Sequence, residues 1–115
     1  MSILSQTTIA NKVSFSGVGI HTGINVNVNI LPAAPNSGII FKRIDIKKNN
    51  IVIPNFENVS EATLCTTVSN QFGIKVSTIE HLMAAFFGLG LDNAIVELDG
   101  QEVPILDGSA KDFVK

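Results

Sequence analysis

The sequence has neither tryptophan nor tyrosine, and cysteine occurs once, at Cys65. A single thiol excludes an internal disulfide framework and a multi-cysteine zinc site. Without Trp or Tyr, the stacking platforms that read bases and sugars could come only from phenylalanine. An excess of charge is lacking too: eight Lys and Arg against ten Asp and Glu leave a formal net charge of −2. The cations gather only in the pairs Lys42-Arg43 and Lys47-Lys48. Such a surface offers no footprint for nucleic acid or an anionic membrane, so no nucleic-acid partner is expected. No apolar run approaches the roughly 20 residues that cross a bilayer, so no transmembrane segment is expected. Residues 1–6 lack the basic flank and apolar stretch of a signal peptide, and the expectation is a cytoplasmic location.

What is present suffices for one domain. Over 115 residues, 45% are hydrophobic and 16% charged, enough to bury a core. The first half reads as β-structure. Val13 and Phe15 alternate with Ser14 and Ser16, and Ile24, Val26, Val28 and Ile30 alternate with Asn25, Asn27 and Asn29. A period of two predicts strands with one dry and one wet face. Residues 32–38 form a loop, 39–44 a largely covered strand, and 47–50 a polar turn. Residues 63–69 and 74–76 pair as a hairpin across 70–73.

The period then changes to 3.6. Ile79, Leu82, Met83, Phe86 and Leu89 fall on one helical face over 77–89. Ser77 is the expected N-cap, Glu80 completes a capping box, and Gly88 and Gly90 supply the stop. Residues 94–98 read as a buried strand, and Asp99-Gly100 as a type I′ turn leading into a hairpin partner over 101–105. Ser109 could cap a second helix, of which only six residues remain before the end at Lys115. A helix that short does not stand alone, which suggests a chain that stops inside an element of a larger fold. The expected fold class is α+β: a two-layer sandwich, its mostly antiparallel sheet carrying one amphipathic helix and part of a second on one face, in one domain over 1–115.

Four places could carry chemistry. Glu80 and His81 are adjacent at a helix start, the one part of a helix from which neighbours about 100° apart can serve one site. A Glu–His pair there can supply a proton acceptor beside a metal ligand, although Glu80 is also where a capping-box glutamate belongs, and locally capping is the simpler reading. The face of His81 continues through the small residues Ala84, Ala85 and Gly88. GVGIHTG (17–23) has three glycines in seven residues and could cradle a phosphate with His21 as a donor, or could be a tight connection between strands. It lacks the Lys-Ser/Thr end of a P-loop. Cys65 reads as a small core residue, since a nucleophile would need a histidine that sequence alone does not place beside it. Asp107-Gly108 reads locally as a turn before the second helix.

In this order, GVGIHTG (17–23), ATLCTT (62–67), VSTIEHLMAAFFGLGLDN (76–93) and VPILDGSA (103–110) resemble the UDP-3-O-acyl-N-acetylglucosamine deacetylases, from about Gln6 to the end. The resemblance implies a cytoplasmic zinc hydrolase of Gram-negative bacteria. Such an enzyme removes the N-acetyl group of UDP-3-O-acyl-N-acetylglucosamine in the committed step of lipid A biosynthesis. It implies two related α+β domains with the site between them, this chain being the N-terminal one. His81 then matches a zinc ligand and Glu80 the general base, which reverses the local preference for capping. His21 matches a substrate-binding position, Leu64 and Cys65 match positions lining the site, and Asp107 a position supporting the metal's surroundings. The family's other zinc ligands lie in the second domain. One histidine does not hold a catalytic zinc, so the chain alone is expected to be inactive. The alternative is a non-catalytic binding or assembly module, whose exposed apolar surface would drive self-association.

Overall fold

The computed structural model describes residues 6–55, 59–61 and 65–104. Eight strands and one helix follow in the order β1 (Val13–Val18), β2 (Asn25–Pro32), β3 (Ile39–Arg43), β4 (Ile51–Val52), β5 (Val59–Glu61), β6 (Thr67–Ser69), β7 (Lys75–Ser77), α1 (Glu80–Leu89) and β8 (Ala94–Leu98). Five of the strands form one sheet in the order β1-β2-β8-β3-β4, and β5-β6-β7 form a second. Every pairing is antiparallel except β3 with β8. The expected class, α+β with a mostly antiparallel sheet and an amphipathic helix, is the one found. The expected second helix at Ser109 lies outside the described residues.

The alternation in β2 explains the position of the large sheet. Val26, Val28 and Ile30 are buried while Asn25 and Asn27 face water. Together with Phe41, Val52, Ala94, Val96 and Leu98 they line one dry face. Leu82 and Phe86 of α1 belong to the same core cluster, as do Val68 and Val76 of the small sheet. Burying aromatic and branched side chains in one continuous cluster is the main force joining the sheets and the helix. At the centre, truncating Phe41 to alanine is expected to cost about 3–5 kcal/mol.

The helix ends as its glycine predicts. Gly90 takes a left-handed conformation (φ 73°), and Leu91 N–H donates to the carbonyl of Phe86 at 2.9 Å, closing a Schellman-type stop. The following Asp92 and Asn93 tie down the start of the chain. Thr7 N–H donates to Asp92 Oδ2, and the buried Asn93 bonds Gly38 N–H through Oδ1 and Gln6 Oε1 through Nδ2.

Two local expectations are corrected. The helix begins at Glu80, not near Ser77, and its cap position, Ile79, contributes no side-chain hydrogen bond. Ser77 is the last residue of β7, and its N–H is already used by Gln101 O at 2.8 Å, so no capping box can form. The turn at Asp99-Gly100 does not start a hairpin. Both edges of β8 are occupied, by β2 and β3, so the chain cannot fold back upon it. It crosses instead to the small sheet, where Glu102 bridges Ser77 in parallel.

Candidate functional site

The start of α1 is assembled from three stretches of chain. β7 ends at Ser77, Thr78 turns the backbone with φ 61°, and Ile79 enters the helix. Thr66, just before β6, braces this turn: its carbonyl accepts Thr78 N–H at 2.8 Å, and its own N–H donates to Glu80 Oε1 at 3.1 Å. Glu80 is therefore held across to Thr66, not folded back on its own helix. Its second carboxylate oxygen has no hydrogen-bond partner among the described residues. His81 is exposed and likewise without a partner among them, on a helix face that continues through exposed Ala84 and Gly88. Among the described residues, a half-held carboxylate thus adjoins an imidazole with no partner at the N-terminal end of a helix, where the backbone carries partial positive charge.

The glycine-rich segment follows the other reading open to it, a tight connection between strands. Gly23 N–H donates to Gly19 O at 2.9 Å and Gly19 N–H to Ile24 O at 3.0 Å, turning β1 into β2, with Gly23 left-handed at φ 72°. Its inward N–H groups are not free for a phosphate, because a carboxylate of the chain itself fills the cradle. Glu102 accepts from His21 N–H at 3.1 and 3.2 Å and from Thr22 N–H at 2.8 Å. Its Oε2 also lies 2.7 Å from His21 Nδ1 and accepts a hydrogen bond from the Thr78 hydroxyl at 2.6 Å. Gly19 is required by this approach, since a Cβ there would lie 2.8 Å from both Glu102 Cδ and Thr22 Oγ1.

The Glu102 side chain is fully buried, while the His21 ring is 38% exposed. Burial pushes the Glu102 carboxyl up, but the hydrogen bonds from Thr78, His21 and Thr22 outweigh it and hold the pKa down to about 2. The buried charge is stable because every partner is a donor.

The structure thus brings together Thr66, Thr78, Glu80, His21 and Glu102 through one run of hydrogen bonds. Cys65 adjoins Thr66, half-buried, with Sγ 3.8 Å from Thr67 Oγ1. Leu64 and Asp107 lie outside the described residues. Among the described residues no three His, Cys, Asp or Glu side chains converge so as to hold a metal, so these residues alone do not make a zinc site. An open cleft lined by Asn49, Ile51, Ile53, Asn70 and Phe72 contains none of the candidate residues.

Glu102 is the residue that sequence reasoning missed. It fell within the hairpin partner expected over 101–105 and was not singled out there. The available signal was its position immediately before Val103 and Pro104, a carboxylate entering a run that is buried in the structure.

Residues 6–115 match the family described as UDP-3-O-acyl N-acetylglycosamine deacetylase. Two curated relatives carrying the name UDP-3-O-acyl-N-acetylglucosamine deacetylase, from Shewanella baltica (strain OS155 / ATCC BAA-1091) and Shewanella sp. (strain W3-18-1), are each 46% identical to this chain over 112 residues. The aligned region is 97% of this chain and 37% of each relative, so the chain spans little more than a third of the length of the curated relatives it matches.

Proposed function

The chain belongs to the UDP-3-O-acyl N-acetylglycosamine deacetylase family, and on that premise we propose that it supplies one side of a composite hydrolytic site. The reaction is removal of the N-acetyl group from UDP-3-O-acyl-N-acetylglucosamine, a step of lipid A biosynthesis, in the cytoplasm. Glu80 is the general base. His81 is one zinc ligand, and the remaining ligands come from outside these residues. His21 contacts the substrate, Leu64 and Cys65 line the site, and Asp107 supports it.

The observation that carries this reading is the state of Glu80. One carboxylate oxygen is fixed by Thr66 N–H, and among the described residues the other oxygen and the neighbouring His81 have no partner. A general base needs that combination, an oriented group with an open acceptor. A zinc ion held with the help of His81 would supply Lewis-acid polarisation of the acetyl carbonyl. The protein's own share is to hold Glu80 so that it takes a proton at the oxygen not used by Thr66. No helix among the described residues is long and apolar enough to cross a membrane.

The test is acetate release from UDP-3-O-acyl-N-acetylglucosamine with zinc, by this chain mixed with the remaining region of a family relative. Activity is expected in the mixture and not in either piece, and Glu80→Ala or His81→Ala should abolish it. If the two pieces associate but release no acetate, the hydrolytic reading fails.

A second reading, an assembly module without chemistry, draws on exposed apolar side chains: Phe87 is 89% exposed, Ile20 63% and Ile24 59%. Light scattering separates the two. A module of this kind should self-associate through these residues and lose that association in Phe87→Ser, whereas a clean monomer speaks against it.

A further inference from the structure

We propose that Glu102 is the positioning residue of this site: its buried carboxylate fixes the tautomer of the His21 ring, and through the Thr78 hydroxyl it holds the turn from which α1 presents Glu80 and His81. The second half rests on the site proposed above; the first does not.

The His21 argument follows from donor and acceptor arithmetic. An ionised carboxylate only accepts. With Oε2 at 2.7 Å, Nδ1 must carry the proton, so Nε2 is the nitrogen left for a ligand. The backbone N–H groups of His21 and Thr22 bind the same carboxylate and fix the ring's attachment point. His21 therefore meets a ligand with one defined nitrogen on a defined backbone, the arrangement that a carboxylate behind a histidine provides in many sites.

The Thr78 argument rests on its backbone. A β-branched residue at φ 61° is in a region that L-residues with branched side chains avoid, and such strain persists only where surroundings hold it. Here Thr66 O takes its N–H and Glu102 Oε2 takes its hydroxyl. The segment around Glu102 also grips the preceding residue, since Ser77 N–H donates to Gln101 O and Val103 N–H to Ser77 O. Glu80 comes two residues after Thr78, so the strained turn sets where the helix points. One carboxylate thus ties the His21 turn to the Glu80–His81 helix start.

The experiment is long-range 1H–15N correlation of the histidine rings in the 115-residue chain, at a pH where both rings are neutral. His81, without a partner among the described residues, is the internal reference for a free imidazole. His21 should show protonated Nδ1 and bare Nε2, a population shifted toward Nδ1–H by about tenfold or more relative to His81, as a charge-assisted hydrogen bond imposes. A His21 pattern equal to that of His81 would overturn the proposal, whether or not any protein containing this region is active. Glu102→Gln should reduce the tautomer bias and shift the amide resonances of Thr78, Glu80 and His81 together. Bias lost with those amides unmoved would overturn the link to α1. Should Glu102→Gln not fold, Thr78 variants decide that link. Thr78→Ser should keep the wild-type amide positions, and Thr78→Val, which keeps the strain but loses the hydroxyl, should show a lower urea midpoint than Thr78→Gly, which is free of the strain. Equal midpoints for the valine and glycine variants would show that the Glu102–Thr78 bond holds no strained turn.

Discussion

Glu80 and Glu102 are two carboxylates in one hydrogen-bonded neighbourhood, and they are treated in opposite ways. The Glu102 side chain has no exposure and donors on both oxygens; Glu80 is half-buried, with one N–H on one oxygen and, among the described residues, an open second oxygen. A filled carboxylate is a structural element, because donors of the protein engage both its oxygens and make protonation costly. A half-filled one is oriented but still able to act. The difference teaches how a site can be stiff and reactive at once: the charge that holds the geometry is not the charge that does the chemistry.

The largest effect should come from emptying the filled position. Glu102→Ala leaves the buried Thr78 hydroxyl and the part-buried donors of His21 and Thr22 unpaired, and should cost about 3–5 kcal/mol in urea unfolding. Glu80→Ala removes a single partly buried bond and should cost less than about 1.5 kcal/mol. Equal losses would break the comparison. Acid reads the same contrast without mutation. The Glu102 pKa is lowered from 4.5 to about 2 on folding, so its contribution is fully present above about 4.5 and lost as pH falls through about 2. The urea midpoint should decline across that window, and Glu102→Gln should flatten that part of the decline.

Smaller effects sharpen the contrast between the packed side and the open side. Gly19→Ala forces a methyl group against Glu102 and Thr22, and should destabilise by about 1–3 kcal/mol. Gly88→Ala, on the exposed helix face of His81 where an added Cβ meets nothing, should stabilise by about 0.5–1 kcal/mol. Thermal melts of the two variants, run together, check both signs. A neutral Gly19→Ala would mean that the carboxylate does not fill the glycine turn.

Much of this arrangement was legible in the chain, for physical reasons. Strict alternation at Val26, Val28 and Ile30 could satisfy only a strand with one dry face, and helical spacing from Ile79 to Phe86 only an amphipathic helix. Gly90 announced its own left-handed stop. What failed were local signals overruled by distant partners. Ser77 is a good cap in isolation, but its N–H belongs to Gln101 in the fold. Asp99-Gly100 is a good hairpin turn, but β8 had no free edge to receive a hairpin. The same misreading hid Glu102, whose partners His21 and Thr78 are 81 and 24 residues away. Sequence pattern reports the residues near a position, whereas a buried charge is decided by donors that only the fold brings to it.

The most direct measurement is acetate release by the mixture of this chain with the remaining region of a family relative, comparing wild type with Glu80→Gln at matched urea midpoints. Activity lost in a variant as stable as wild type is the predicted result, and it would assign the chemistry to the open carboxylate. Undiminished activity in Glu80→Gln would contradict the account, since the amide can fill the place of Glu80 beside Thr66 but cannot take a proton.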